Sequence, residues 1–156
     1  MDLGLSGKTA IGTGGGNGIG KAICMGLARE KVKVIVTDLN EKAASNVALE
    51  IEKNGGQASF SFIDVTNVES IKEVVRISLN KLRRIDILVN SAGIISIADV
   101  VRLTETDWDR VIDVNAKGVF LCCKIILPHM ITQKYGKIVN ISSQAGKTGF
   151  PYEAHY

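Results

Sequence analysis

The residue types best suited to chemistry stand in the stretch NISSQAGKTGFPYEAHY, at residues 140–156 of the 156-residue sequence. Ser143 carries a hydroxyl and Tyr156, thirteen positions later, a phenol. Such a pair can hydrogen-bond a substrate oxygen and exchange a proton with it. His155 is a second candidate base beside the tyrosine. Whether these residues form a catalytic group depends on the elements that position them.

A glycine-rich turn, TGGGNGIG at residues 13–20, is the next candidate for chemistry. It stands between a short apolar run and a helical pattern, and its spacing is TGxxxGxG, not GxGxxG. Gly14 allows the tight turn, Gly18 lets a pyrophosphate approach the backbone, and Gly20 lets the helix pack closely. The free N–H groups and the positive dipole end of the helix favour phosphates. The alternative, a merely flexible turn, is weakened by the flanking strand and helix, so the turn predicts a dinucleotide site.

Asp38 ends the second strand pattern, eighteen residues after Gly20. A carboxylate at this place can accept both ribose hydroxyls of an adenosine and repels a 2′-phosphate. Neither Asn17 nor Leu39 brings a positive charge that could bind such a phosphate. The sequence therefore favours NAD over NADP. A helix N-cap is the other role open to Asp38, and the two roles are compatible.

The chain alternates between strand and helix patterns, which gives five strands and four helices. Crossovers of this length require parallel strands, and right-handed crossovers make an open sheet. We predict an α/β fold, a doubly wound, Rossmann-like parallel sheet with strand order 3-2-1-4-5, and a single domain over 1–156. The strands are expected at 8–11, 32–37, 58–65, 85–89 and 136–142, and the helices at 18–31, 40–54, after a cap at Thr66 or Asn67, and at 104–130.

The last of these helices carries two local signals. Thr104 and Asp107 have the spacing of a capping box, which places its start. Pro128 is expected to kink the helix or end it, because proline has no N–H to donate within a helix.

Composition narrows the class of protein. The sequence is 46% hydrophobic and 22% charged, as in globular proteins, and its net charge of +3 is scattered, which argues against nucleic acid as a partner. The sequence contains no run of eighteen apolar residues, so it predicts no membrane span. Cys24, Cys122 and Cys123 lack metal-ligand spacing, so we expect no metal site and buried, reduced thiols. The expected location is the cytoplasm.

Motif after motif, the whole sequence resembles the short-chain dehydrogenase/reductase family, in the branch whose glycine motif is TGxxxGxG. Asp64-Val65 matches the pair that contacts adenine, and residues 90–93, NSAG, match the family's NNAG with Ser91 in place of the second asparagine. The cofactor contacts that the turn and the resemblance together imply are Gly14, Gly16, Asn17, Gly18, Ile19, Gly20, Asp38, Leu39, Asp64, Val65, Asn90, Ala92 and Gly93.

The resemblance also implies a catalytic set. Asn115 matches the asparagine that holds a water in the family's proton relay, Ser143 the residue that hydrogen-bonds the substrate oxygen, and Tyr156 the proton exchanger. The expected reaction is hydride transfer between NAD(H) and an alcohol or ketone, with the proton assigned to the tyrosine and not to His155. The run SQAG at 143–146 resembles members that act on small polyols or diols.

Two loops are expected to border the substrate. Phe150 and Tyr152 lie between the serine and the tyrosine, and with Ser143 they are the predicted substrate contacts. The apolar run 94–101 could form the opposite wall.

Two other functions stay open: an NADPH-dependent 3-oxoacyl-carrier reductase, which Asp38 disfavours, and a dinucleotide-binding module without catalysis.

The sequence departs from the family pattern in two places. The family's tyrosine is followed four residues later by a lysine, and nothing follows Tyr156 here. We therefore expect the N-terminal portion of a longer enzyme, without its C-terminal strands, inactive as a fragment and homo-oligomeric at full length. Gly12 stands where an aliphatic residue usually completes the first strand, and it is expected to weaken packing by roughly 1 kcal/mol.

Overall fold

The computed structural model describes residues 2–156, in which a five-stranded parallel sheet carries helices on both faces. The strand order β3-β2-β1-β4-β5 confirms the predicted doubly wound topology. The strands are β1 (Thr9–Thr13), β2 (Lys33–Asp38), β3 (Gln57–Phe62), β4 (Ile87–Asn90) and β5 (Lys137–Asn140). The helices are α1 (Gly18–Arg29), α2 (Glu41–Lys53), α3 (Val68–Leu82), α4 (Glu105–Ile112) and α5 (Gly118–Thr132).

Alternation along the central strands builds a core on each face of the sheet. In β2, Val34 and Val36 pack with residues of α1 and α2, whereas Ile35 packs with residues of α3 and α5. All three side chains are fully buried, as expected for a strand covered on both faces. The two cores hold the strand ends in fixed register, which is what a site at the edge of the sheet requires.

The first strand runs to Thr13, two residues further than predicted, because Gly12 takes its place in the ladder opposite Val36 and Val89. A Cβ at Gly12 would lie 2.6 Å from the Sγ of Cys24 on α1. The buried thiol thus occupies the space that a side chain at residue 12 would take, and the expected cost in packing stays a prediction.

The third strand is shorter than predicted and ends at Phe62, so that Asp64 and Val65 lie in the turn that follows it. The Oδ1 atom of Asp64 accepts hydrogen bonds from the backbone N–H of Thr66 at 2.9 Å and from its hydroxyl at 2.7 Å. These bonds fold the chain into a turn before Asn67 caps α3. The fourth and fifth strands are also shifted or shortened at their ends, to Ile87–Asn90 and Lys137–Asn140.

The long predicted helix is divided. A π-helical turn, Asp113–Lys117, joins α4 to α5. Thr104 caps α4 as predicted, with its hydroxyl accepting from the N–H of Asp107 at 3.1 Å. Pro128 lies inside α5 and does not end it, and the buried side chains of Ile126 and Met130 anchor the helix on both sides of the proline. Of the two predicted effects, the end of the helix is wrong, and the kink stays a prediction.

Candidate active site

A cavity of about 1310 Å³ opens at the carboxyl ends of the strands, where the strand order reverses between β1 and β4. Open α/β sheets bind their ligands at this place. Fourteen of the predicted site residues line it: Gly14, Asn17, Gly18, Ile19, Gly20, Asp38, Leu39, Asp64, Val65, Ala92, Gly93, Asn115, Ser143 and Tyr156. Four predicted residues do not: Gly16, Asn90, Phe150 and Tyr152.

The glycine turn leaves the start of α1 open toward the cavity. Gly18 has φ +51°, and a Cβ built on it would meet nothing within 4 Å, so the backbone is accessible to a ligand. At Gly20 a Cβ would collide with the carbonyl oxygen of Gly14, which explains why the helix can pack so closely on the turn. Asn17 caps the helix through its Oδ1 and the N–H of Gly18 at 2.9 Å, and the first turn of α1 carries no acidic residue. This is a cradle suited to a phosphate group.

Asp38 is held in place by two backbone groups. Its Oδ2 accepts from the N–H of Gly16 and its Oδ1 from the N–H of Asn40, each at 2.9 Å. Gly16 therefore contributes through the carboxylate and not as part of the cavity wall. A carboxylate has about four acceptor positions, so roughly two remain for a diol such as a ribose. The N-cap of α2 is Asn40, and the alternative role of Asp38 as that cap does not apply.

An apolar part of the cavity wall, here called the apolar slot, is formed by residues that follow the third and fourth strands. Ile63, Val65 and Ala92 line it, and Val65 packs against Gly118, where a Cβ would approach its Cγ2 to 2.8 Å. Such a slot suits a flat aromatic base.

Asn90 lies beneath the cavity and not in its wall. It is buried, and its Nδ2 donates to the Oδ1 of Asn140 on β5 at 2.8 Å and contacts the Sγ of Cys123 at 3.4 Å. Within residues 2–156 its own Oδ1 has no hydrogen-bond partner. Asn140, which sequence reasoning missed, does line the cavity. Asn90 thus ties β4 to β5 and orients a residue that is in the wall.

The π-helical turn places Asn115 against the loop after β4. Its Oδ1 accepts from the N–H of Ile94 and its Nδ2 donates to the carbonyl of Ile94, each at 2.8 Å. Both ends of the amide are therefore fixed, with one N–H and one lone pair left over. π-helical turns inside α-helices are frequent at functional sites, and this one brings a helix and a loop to a common wall.

Ser143 and Tyr156 line the same cavity from the segment after β5. The Oγ of Ser143 accepts from the N–H of Ala145 at 3.1 Å as it caps a 3₁₀ turn, Gln144–Gly146. Its hydroxyl hydrogen is left to donate to a substrate oxygen. The phenol of Tyr156 is 44% exposed, so a substrate can reach it.

The predicted substrate contacts Phe150 and Tyr152 are not brought to the cavity. They are 45% and 57% exposed on the loop between Ser143 and Tyr156. The backbone of Tyr152 nevertheless connects two loops, because its carbonyl accepts from the N–H of Ala98 at 3.0 Å. The opposite apolar wall is formed by Ile94 and Ile95 from the predicted run, whereas Ile97 and Val100 of that run lie outside the cavity.

These features together fit a dinucleotide. The cradle at Gly18, the diol acceptor at Asp38 and the apolar slot at Val65 line the same cavity as Asn115, Ser143 and Tyr156. In residues 2–156, no cluster of three or more His, Cys, Asp or Glu side chains could hold a metal ion, and no helix is long and apolar enough to cross a bilayer.

Known proteins share this sequence pattern. The sequence model of the family described as short chain dehydrogenase matches residues 8–156. A 3-oxoacyl-(acyl-carrier-protein) reductase of Thermotoga maritima is 42% identical over 152 residues, which are 97% of this chain and 62% of that protein. A 3-oxoacyl-(acyl-carrier-protein) reductase of Synechocystis is 40% identical over 153 residues, again 97% of this chain and 62% of the relative.

Solved structures agree on the fold. A crystal structure assigned to a short-chain alcohol dehydrogenase of Sinorhizobium meliloti superposes with a TM-score of 0.92 at 33% identity, over 97% of this chain and 60% of that one. The chain thus spans about three fifths of the length of the relatives it matches.

Proposed function

The chain belongs to the short-chain dehydrogenase family, and we propose that the protein containing it transfers hydride between NAD(H) and the carbon of an alcohol or ketone. The observation that carries the proposal is the common cavity of Asn115, Ser143 and Tyr156, which also holds the glycine turn and Asp38. A module that only bound a dinucleotide would need none of the first three residues. Their joint placement supports an enzyme.

The residues near the glycine turn would hold the cofactor. The N–H groups at the start of α1 would bind its phosphates, and Asp38 would accept the ribose hydroxyls. Val65 would pack on the adenine. When bound, the nicotinamide supplies the hydride acceptor or donor. Family membership supports NAD or NADP as the cofactor, and the fixed carboxylate of Asp38 supports the choice of NAD.

Ser143, Tyr156 and Asn115 would carry out the proton transfer. Ser143 would donate its free hydroxyl hydrogen to the substrate oxygen, and Tyr156 would give that oxygen a proton during reduction or take one during oxidation. Asn115 would hold a water through its remaining amide hydrogen or lone pair. The water would connect the phenol to solvent.

A 3-oxoacyl carrier is the second candidate substrate. The reductases from Thermotoga maritima and Synechocystis, at 42% and 40% identity, support it. The apolar side chains of Ile94 and Ile95 in the wall also suit an acyl chain better than a small polyol. The proposed preference for NAD sets this chain apart from the NADPH-dependent enzyme that we considered from the sequence.

The proposal is tested on the full-length natural protein. Initial rates would be measured with NADH and NADPH against a panel of simple ketones, 3-oxoacyl thioesters and, in the oxidative direction, small diols. We expect turnover with NADH that Tyr156→Phe lowers about a hundredfold or more while NADH still quenches protein fluorescence. Quenching without turnover on any substrate would favour the binding module, and a tenfold NADPH preference would reverse the choice of cofactor.

The proposal includes the oligomeric state of the enzyme and its compartment in the cell. Phe120, Leu127 and Ile131 of α5 are exposed apolar side chains, which supports a homo-oligomer at full length. Cys24, Cys122 and Cys123 are free thiols, consistent with a reducing compartment such as the cytoplasm. Sedimentation and cell fractionation test these two statements.

A further inference from the structure

The segment that carries Tyr156 is fastened to the loop after β4 by two hydrogen bonds. The N–H of Ala98 donates to the carbonyl of Tyr152 at 3.0 Å, and the hydroxyl of Ser96 bonds the Nε2 of His155 at 2.5 Å. Fifty-nine residues separate Ser96 from His155, so the second bond is a long-range tertiary contact. It joins His155, the residue immediately before Tyr156, to the loop whose residues Ile94 and Ile95 line the active-site cavity.

His155 is buried although it is polar and lies in a loop. Only 3% of its surface is exposed, and its ring stacks on Trp108 of α4 with 6.5 Å between the centroids. Burying an imidazole costs free energy unless its polar atoms are bonded, and only Nε2 has a partner within residues 2–156. One hydrogen bond and one stacking contact therefore offset the cost of burying this histidine.

The bond lies at the end of a chain of contacts that begins at Asn115. Asn115 grips the backbone of Ile94 with both ends of its amide, and Ser96 stands two residues further along the same loop. His155 then connects that loop to Tyr156. Asn115 and Tyr156 lie on separate elements, and the five-residue segment 94–98 connects them. This segment therefore fixes the distance between the two residues.

We propose that Ser96 and His155 are positioning residues that hold the phenol of Tyr156 in reach of the substrate oxygen and in register with Asn115. The inference rests on the proposed proton-exchange role of Tyr156. Neither residue lines the main cavity, so neither would touch the reacting atoms. Their contribution is to orientation, and misplacement of a reacting group by about 1 Å can cost a hundredfold in rate.

The test uses variants of the full-length protein that change the contact in different ways. Ser96→Ala removes the hydroxyl and Ser96→Thr keeps it; His155→Phe keeps a ring against Trp108 but cannot bond Ser96. The matched control is Ser78→Ala, because Ser78 is a buried serine whose hydroxyl bonds the carbonyl of Val74 in α3, remote from the cavity. Turnover, NADH affinity and melting temperature would be measured for each.

We expect Ser96→Ala and His155→Phe to lower kcat on the order of tenfold to a hundredfold with NADH affinity unchanged. Ser96→Thr should restore most of the rate, and Ser78→Ala should leave kcat unchanged whatever it does to stability. In a Tyr156→Phe background the Ser96→Ala change should cause no further loss. The inference would be overturned if Ser96→Ala and His155→Phe had the kcat of the wild type. It would also be overturned if Ser96→Ala lowered kcat by the same factor in the Tyr156→Phe background as in the wild type.

A second readout does not depend on turnover. The ¹³C NMR signal of the labelled Tyr156 ring carbon that bears the hydroxyl should move in Ser96→Ala and stay in place in Ser78→Ala. An unmoved signal in Ser96→Ala would overturn the positioning role even if the wild-type protein were active. If no substrate were turned over, the proposed function would fail while this signal still decided whether Ser96 and His155 place the phenol.

Discussion

Asp38 and Gly16 form a coupled pair: the N–H of Gly16 donates to the Oδ2 of Asp38 at 2.9 Å, and a Cβ at Gly16 would lie only 2.9 Å from the same oxygen. The missing side chain and the bound carboxylate therefore depend on each other. The carboxylate keeps this position because residue 16 has no side chain that would collide with it.

The first prediction follows from this pair. Gly16→Ala should displace the carboxylate and lower kcat/KM for NAD about tenfold or more, since a hydrogen bond to a charged group contributes about 1.5–3 kcal/mol. Asp38→Ala should lower it at least as much and reduce the discrimination against NADP. Steady-state kinetics with both cofactors measure the two effects.

Gly26→Ala is the control for this prediction. Gly26 lies in α1, and a Cβ there would meet nothing within 4 Å, so alanine should leave cofactor kinetics unchanged and favour the helix. If Gly16→Ala and Gly26→Ala had the same kinetics as the wild type, the coupling of Gly16 to Asp38 would be irrelevant to cofactor binding.

A second prediction concerns Gly12 and Cys24, which share one space under the glycine turn. Burial raises the pKa of the Cys24 thiol to about 12, so the group is uncharged at neutral pH and acts as an apolar filler. Gly12→Ala should destabilise the protein by about 1–3 kcal/mol through overpacking. In the Cys24→Ala background the same change should cost clearly less, because the sulfur is gone. Urea unfolding of the four proteins gives the coupling free energy, and strict additivity would contradict the shared space.

The topology and fourteen of the residues that line the cavity could be predicted because they depend on local signals. β-branched runs such as Val34 to Val36 determine buried strands, and the glycines at 14, 18 and 20 identify the turn through backbone needs that few other sequences have. The parallel sheet then brings strand ends together, which is why Asp38 at the end of β2 and Ala92 after β4 line one cavity.

What could not be predicted depends on tertiary contacts between distant residues. Phe150 and Tyr152 were expected at the substrate because they lie between Ser143 and Tyr156, but sequence proximity does not determine which way a loop faces. The Ser96–His155 contact and the filling of the Gly12 gap by Cys24 need coordinates, since no spacing rule links those positions. The passage of α5 through Pro128 likewise reflects packing that overrides a local preference.

The third prediction concerns Asp86, a carboxylate with no exposed surface just before β4. It accepts from the N–H of Thr9 at 3.0 Å and from the Nε of Arg84 at 2.8 Å. Asp86→Ala should lower the free energy of unfolding by about 3 kcal/mol, because the buried N–H of Thr9 loses its acceptor and Arg84 loses its partner. Chemical denaturation measures the change.

Glu69→Ala is the matched control for Asp86→Ala. Glu69 pairs with Lys72 at 2.7 Å on the exposed face of α3, where removing an ion pair should change stability by less than about 1 kcal/mol. Equal losses for the two variants would mean that burial of Asp86 contributes nothing to the strength of its contacts.

The last prediction is a pH dependence at the start of α4. The hydroxyl of Thr104 donates to the Oδ2 of Asp107 at 2.6 Å and, as the largest cause, holds the pKa of that carboxyl below its ordinary value of 3.8. A carboxyl whose pKa is lower in the folded state adds stability above its unfolded-state pKa, and this stability is lost as the pH falls through the folded-state value. Thr104→Val should therefore be less stable than the wild type at pH 7, and the gap should narrow below pH 3.8 without closing, since the cap bond to the Asp107 N–H does not titrate. Melting curves from pH 7 to pH 2.5 on both proteins check this, and a gap that widened in acid would contradict the assignment. In an Asp107→Asn background, which has no carboxyl to titrate at this position, the effect of Thr104→Val should not depend on pH in this range.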